Sequence, residues 1–130
     1  MRNQKGFTLV EIMIVVAIIA LLAAIAIPNL LRAKISANDA LAQSTLRTLA
    51  TASETFQTAA NGTYPATMTA LTGATPPYLQ KDYCSQTISG YYYSCTMTTA
   101  GYTFMAGAAT RDTSGSSTYT MTTGSILTAY

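Results

Sequence analysis

One carboxylate, Glu11, lies inside an apolar run from Phe7 to Ile27 that holds no other charged residue. A charge in a membrane-length helix costs about 2.5 to 3.5 kcal/mol at the helix centre and less towards an end, so an acid there implies a partner. No cation in the run can serve. Other residues able to do chemistry are few: Cys84 and Cys95 are the only cysteines, and histidine is absent. Without histidine there is no Ser-His or Cys-His nucleophile pair and no imidazole metal ligand. A Cys-x-x-Cys-His haem site and a Gly-rich phosphate loop are also missing. Asp112, Ser114 and Ser116 resemble the start of a calcium loop, but too few carboxylates accompany them, and a turn is the better reading. We therefore expect no catalytic residue, no metal ligand and no cofactor, and read the chain as a non-enzyme.

The element that must carry Glu11 is long and greasy. From Phe7 to Leu31 nearly every residue is apolar, and a bilayer core of about 30 Å needs about 20 helical residues. The segment can span. Arg2 and Lys5 precede it with no acidic residue, which favours an N-terminus on the cytoplasmic side, although Arg32 and Lys34 on the far side weaken the asymmetry. A secretory signal would show a shorter apolar core and a small-residue cleavage site; here Ala24-Ile25-Ala26 runs on into Pro28 and Leu31. Read without the residues before Glu11, this is an uncleaved signal anchor.

Those residues change the reading. Met1 to Gly6, then Phe7-Thr8-Leu9-Val10-Glu11 and a long apolar stretch, resemble the processing and assembly signature of type IV pilins and type II secretion pseudopilins, most of all a type IVa-type pilin. The resemblance extends through Pro28 to about Tyr64. It implies that a prepilin peptidase cleaves between Gly6 and Phe7 on the cytoplasmic side, removing residues 1–6, and that the new Phe7 amine is methylated. The same processing supplies the missing cation. An α-amino group on Phe7 is a natural counter-ion for Glu11 in a low-dielectric setting. Phe7 and Glu11 are four residues apart and share a helix face, which allows a pair within one chain; the resemblance favours a pair between subunits, setting axial register as a subunit leaves the bilayer. The alternative is that Glu11 only snorkels at the cytoplasmic interface.

Beyond Pro28 the pattern becomes amphipathic. Leu31, Ile35, Ala42, Leu46, Leu49, Ser53, Phe56 and Ala60 recur with helical spacing, while Arg32, Lys34, Asp39, Gln43, Arg47 and Glu54 largely fall elsewhere. One helix is expected over about 7–60, kinked near Pro28, which lacks an amide donor and clashes with the preceding turn. A plain bend explains Pro28; the resemblance adds that Ala23 to Pro28 can lose helical hydrogen bonds when subunits pack. Asn61-Gly62 and Pro65 stop the helix. Asn61-Gly62-Thr63 also matches a glycosylation sequon, but the helix stop is the reading we take.

The expected fold is α+β, the C-terminal half of the helix packing against a small antiparallel sheet of three or four strands. Residues 7–31 form the membrane or filament-core half, and 32–130 an exported head of amphipathic helix, loop 61–89 and sheet 90–130. A short helix is expected around Ala66 to Leu71, and strands at about 90–97, 101–109 and 117–123, with Ile126 to Tyr130 adding an edge. In Tyr91-Tyr92-Tyr93 a strand sends the outer two to one face and Tyr92 to the other, for packing or for a sticky surface. An electron-conducting fibre, proposed for some short pilins, ranks low because no aromatic residue lies between Phe7 and Phe56.

An exported head makes a Cys84–Cys95 disulfide the default over free thiols. Many pilins instead enclose a segment near the C-terminus, so their receptor loop cannot be carried over. Once the leader is lost, five basic and five acidic side chains cancel, and no nucleic-acid binding is evident. The resemblance implies a homopolymeric helical filament, held in the bacterial inner membrane before assembly and extracellular after it. It also implies an assembly platform and an ATPase outside the filament. Adhesion, twitching motility or DNA uptake would follow. The runner-up is a pseudopilin of a type II secretion system; major pseudopilins usually carry a late calcium loop and no disulfide, the reverse of this chain. A third reading is a membrane-anchored binding protein that never polymerises.

Overall fold

A computed structural model of the chain describes residues 6–130. Arg2, Lys5 and most of the expected leader lie outside the described residues. The chain divides into two compact units, 1–33 and Lys34–Tyr130.

A single helix, α1 (Leu9–Ala59), contains Pro28 in its interior and contributes to both units. It starts two residues later than the apolar pattern suggests because Thr8 caps it. In the first unit its side chains are exposed almost throughout, Leu9 at 74% and Leu30 at 70%. The helix ends where Asn61 adopts a left-handed conformation (φ 55°), followed by Gly62 (φ 92°), whose N–H donates to the Gln57 carbonyl at 2.9 Å. That bond satisfies one of the carbonyls orphaned at a helix end.

The second unit is built on the amphipathic stretch of α1. Ala42, Leu46, Leu49, Ala50, Ala52 and Ser53 are buried there, in the helical rhythm the sequence carries. A short helix α2 (Met68–Thr72) follows and buries Met68 and Leu71. Five strands then form an antiparallel meander in chain order: β1 (Thr87–Ile88), β2 (Tyr91–Thr98), β3 (Gly101–Ala108), β4 (Tyr119–Thr122) and β5 (Ile126–Ala129). Each strand pairs with its chain neighbour. The inner face presents Tyr91, Tyr93, Tyr102, Phe104, Tyr119 and Met121 to the helix stripe, closing one core. Each such side chain fully buried contributes about 1.5 to 3 kcal/mol.

The fifth strand is the one departure from the expected three or four. β1 has only two residues and lies inside 61–89, where the sequence suggests loop alone. It exists because Ser89 (φ 49°) and Gly90 (φ 79°) both take positive φ and turn the chain back onto β2, pairing Ile88 with Tyr91. A two-residue turn of this hand matches strand twist. Gly90 is fixed there sterically too, since a Cβ would come within 2.4 Å of the Ser114 side chain.

Candidate assembly site

The Glu11 carboxylate is held from within its own chain. The Thr8 backbone N–H and the Thr8 hydroxyl each donate to Glu11 Oε2 at 2.8 Å, and the Glu11 N–H donates back to Thr8 Oγ1 at 3.2 Å. This is a capping box: residue and third neighbour satisfy one another's free donors at the start of a helix. The sequence reading considered snorkelling or an amine for Glu11 and missed Thr8. The signal was present, because Thr-x-x-Glu ahead of an apolar run is a helix-start pattern. Both bonds to the carboxylate use Oε2. They involve only atoms of Thr8 and Glu11, so cutting the chain after Gly6 leaves them in place.

Around this acid the surface is apolar. Leu9, Val10, Ile12, Met13, Ile14 and Val15 are each more than half exposed. The helix contains an unburied stretch long and apolar enough to cross a membrane. An exposed apolar area of this extent marks an interaction surface. Gly6 and Phe7 precede the helix and are exposed. Pro28 lies well along the same apolar stretch.

In the head, two carboxylates of α1 fasten the sheet. Asp39 Oδ1 accepts the Tyr91 hydroxyl at 2.6 Å and the Ser116 N–H at 3.0 Å, and its Oδ2 accepts the Ser116 hydroxyl. Glu54 Oε1 accepts the Tyr102 hydroxyl at 2.8 Å and the Gly124 N–H at 3.0 Å, while Oε2 accepts the Tyr64 hydroxyl at 2.9 Å. Asn38 adds a bond from Nδ2 to the Ser114 carbonyl at 2.7 Å. Burial raises both carboxyls, but the Ser116 and Tyr91 bonds to Asp39, and the Tyr102 and Tyr64 bonds to Glu54, outweigh it and hold both below the usual carboxylate values. Burial, with a smaller push from Glu54, moves the Tyr102 hydroxyl up to about 12. Burial and then Asp39 raise Tyr91 further.

The sequence reading set Asp39 and Glu54 apart from the buried stripe. Their spacing argues otherwise. Asp39 lies three residues before Ala42 and Glu54 four after Ala50, so both belong to the sheet-facing side. Charge suggests solvent for both, whereas each acid is half-buried against phenols. Asp112 and Ser114, by contrast, belong to a tight turn in which the Asp112 N–H donates to the Gly115 carbonyl at 2.9 Å.

Cys84 and Cys95 form a disulfide with Cα atoms 5.6 Å apart. It joins β2 to the segment before β1, beside the bonds from Ser85 N–H to the Tyr93 carbonyl and from Tyr93 N–H to the Gln86 carbonyl. Tyr91 and Tyr93 are buried and Tyr92 is exposed, as strand alternation requires.

Residues 1–27 match the family described as a prokaryotic N-terminal methylation motif. The type IV wide pilus major component PilA4 of Thermus thermophilus is 53% identical over 57 residues, covering 44% of each chain. The type IV major pilin protein PilA of Myxococcus xanthus is 50% identical over 54 residues, 42% of this chain and 24% of that one. The type II secretion system core protein G of Vibrio cholerae is 40% identical over 67 residues, 52% of this chain and 45% of its own. The chain thus spans less than half the length of these relatives. No solved structure matches it. In its N-terminal motif and the sequence of its long helix, the chain is similar to type IV pilins and to type II secretion core proteins.

Proposed function

We propose that this protein is a structural subunit of an extracellular type IV pilus that polymerises through the exposed apolar half of α1. The observation that carries the reading is the length of uncovered apolar helix bearing one oriented acid. Water is a poor solvent for that surface, so the subunit rests in the inner membrane and then buries it against copies of itself. A prepilin peptidase cuts between Gly6 and Phe7, and the freed Phe7 amine is methylated. The capping box keeps Oε2 of Glu11 engaged with Thr8 and offers Oε1 to the Phe7 amine of a docked neighbour. Neutralisation of this pair removes the cost of two isolated charges in a dry core. Pro28, with no N–H to donate, is the point at which α1 kinks and at which Ala23 to Pro28 loosens on packing. An assembly platform and an ATPase outside the filament supply the work, and adhesion, twitching or DNA uptake follows from the fibre.

Pilus proteins among the relatives and the Cys84–Cys95 disulfide favour the pilus. The likeness to secretion core protein G favours a second reading, a short pseudopilus that moves folded proteins out. Glu11→Ala separates assembly from insertion: the variant is expected to remain in the membrane fraction while sheared-fibre yield falls at least tenfold. An undiminished yield would reject the role given to Glu11. Long surface fibres of this chain support the pilus, whereas envelope-confined fibres with blocked export on deletion support the pseudopilus.

A further inference from the structure

The sheet has two edges, β1 and β5, and they are built differently. The β1 edge is two residues long, and the disulfide at Cys84 holds the segment ahead of it. Very short edge strands, charges, prolines and bulges are the devices that keep an edge from pairing with another chain. β5 runs for four residues in unbroken register with β4, and Ile126-Leu127-Thr128-Ala129-Tyr130 contains neither charge nor proline. Its side chains lie open, Ile126 at 59% and Tyr130 at 74% exposure. Tyr130 exchanges both backbone bonds with Thr118, its N–H donating at 2.9 Å and its carbonyl accepting at 3.0 Å. Bonding alternates along an antiparallel strand, so Thr128 and Ile126 also turn their amides towards β4, while Leu127 and Ala129 turn theirs outward. Among the described residues no backbone group meets those outward amides, because β5 is last in the sheet.

Unpaired strand backbone is matched by another strand, and the residues of β5 select which one. A single two-fold register pairs both outward residues: the one centred on Thr128, in which Leu127 and the partner's Ala129 exchange bonds. It sets Ile126 opposite the partner's Tyr130 and Thr128 opposite the partner's Thr128, and it faces the bulk of Leu127 with a small alanine. Aromatic with β-branched and threonine with threonine are favourable cross-strand pairs. We propose that β5 of one copy pairs antiparallel with β5 of a second, centred on Thr128, to make one sheet across two heads. A two-fold contact closes on itself and cannot lengthen a fibre, so this pairing is separate from assembly through α1. Where the pilus reading above holds, it joins neighbouring fibres side by side.

The test uses the full chain in detergent micelles with copper phenanthroline as oxidant. The register makes Thr128 and its partner a non-hydrogen-bonded pair with Cα atoms about 4.5 Å apart, within disulfide reach. Thr128→Cys should therefore give a covalent dimer on a non-reducing gel, at least tenfold more than Thr120→Cys one strand further in, with the Cys84–Cys95 bridge intact by peptide mapping. Adding Ala129→Pro, which removes an N–H that serves no bond inside the sheet, should lower that dimer at least tenfold at an unchanged melting temperature. A dimer through Thr128→Cys no stronger than through Thr120→Cys, or one undiminished by Ala129→Pro, would overturn the proposal. An edge that instead receives an extended peptide of another protein gives the first of these results. The readout needs no fibres, so its failure is distinct from failure of the pilus reading, which sheared-fibre yield reports.

Discussion

At the scale of single residues, the chain places its few acids where hydrogen bonds are ready for them. Glu11 is oriented by Thr8, and Asp39 and Glu54 by phenols, hydroxyls and loop amides. Thr8→Ala removes a helix cap worth about 1 kcal/mol. Hydrogen exchange at the amides of the first turn should speed up, and fibre yield should fall because Glu11 loses its orientation. An unchanged exchange pattern would show that the box does not hold in the protein. Asp39→Ala strands the Tyr91 hydroxyl and the Ser116 N–H, and hydrogen bonds to a charged group contribute about 1.5 to 3 kcal/mol. Chemical denaturation of the head should show a loss of about 2 kcal/mol or more.

At the scale of elements, most of the fold is legible because period and punctuation agree. The run of Ala42, Leu46, Leu49 and Ser53 keeps helical spacing, Asn61-Gly62 stops it, and alternation through Tyr91 to Met97 separates two faces. Three features escape a reading by period and punctuation alone. β1 is too short to carry a period, and only its turn creates it. Asp39 and Glu54 read as solvent-facing because one helix cannot reveal that tyrosines distant in sequence will reach them. Thr8 was overlooked because the resemblance drew the reading of Glu11 towards an amine on another subunit. The disulfide belongs to this scale too. Replacing both Cys84 and Cys95 by Ser frees a loop of about a dozen residues and should cost about 3 kcal/mol by the chain-entropy account, read as a lower denaturation midpoint of the head. The helix boundary at Ala59 should be unaffected in circular dichroism.

At the scale of the whole molecule, two surfaces differ in character: an exposed apolar helix half, and a neutral head stapled by a disulfide and two half-buried acids. Those acids give the head a defined response to pH. Asp39 and Glu54 have carboxyls below their unfolded values, so their stabilisation is complete above the unfolded carboxylate range of about 4 and is lost as pH falls through the lower folded values. Tyr102, raised to about 12, acts in the opposite sense: its contribution holds below the unfolded tyrosine value of about 10 and is lost as pH rises through the folded one. Melting temperature should therefore be flat near neutrality, drop in acid, and drop less in acid for Asp39→Asn and Glu54→Gln than for the parent.

Polymerisation through a processed N-terminal helix is the central claim, and one measurement meets it most directly: mass spectrometry of the main protein in fibres sheared from cells that make this chain. The claim predicts a polypeptide that begins at Phe7 and carries one added methyl group on its amine. A chain recovered only from membranes, never in fibres and still starting at Met1, would contradict it.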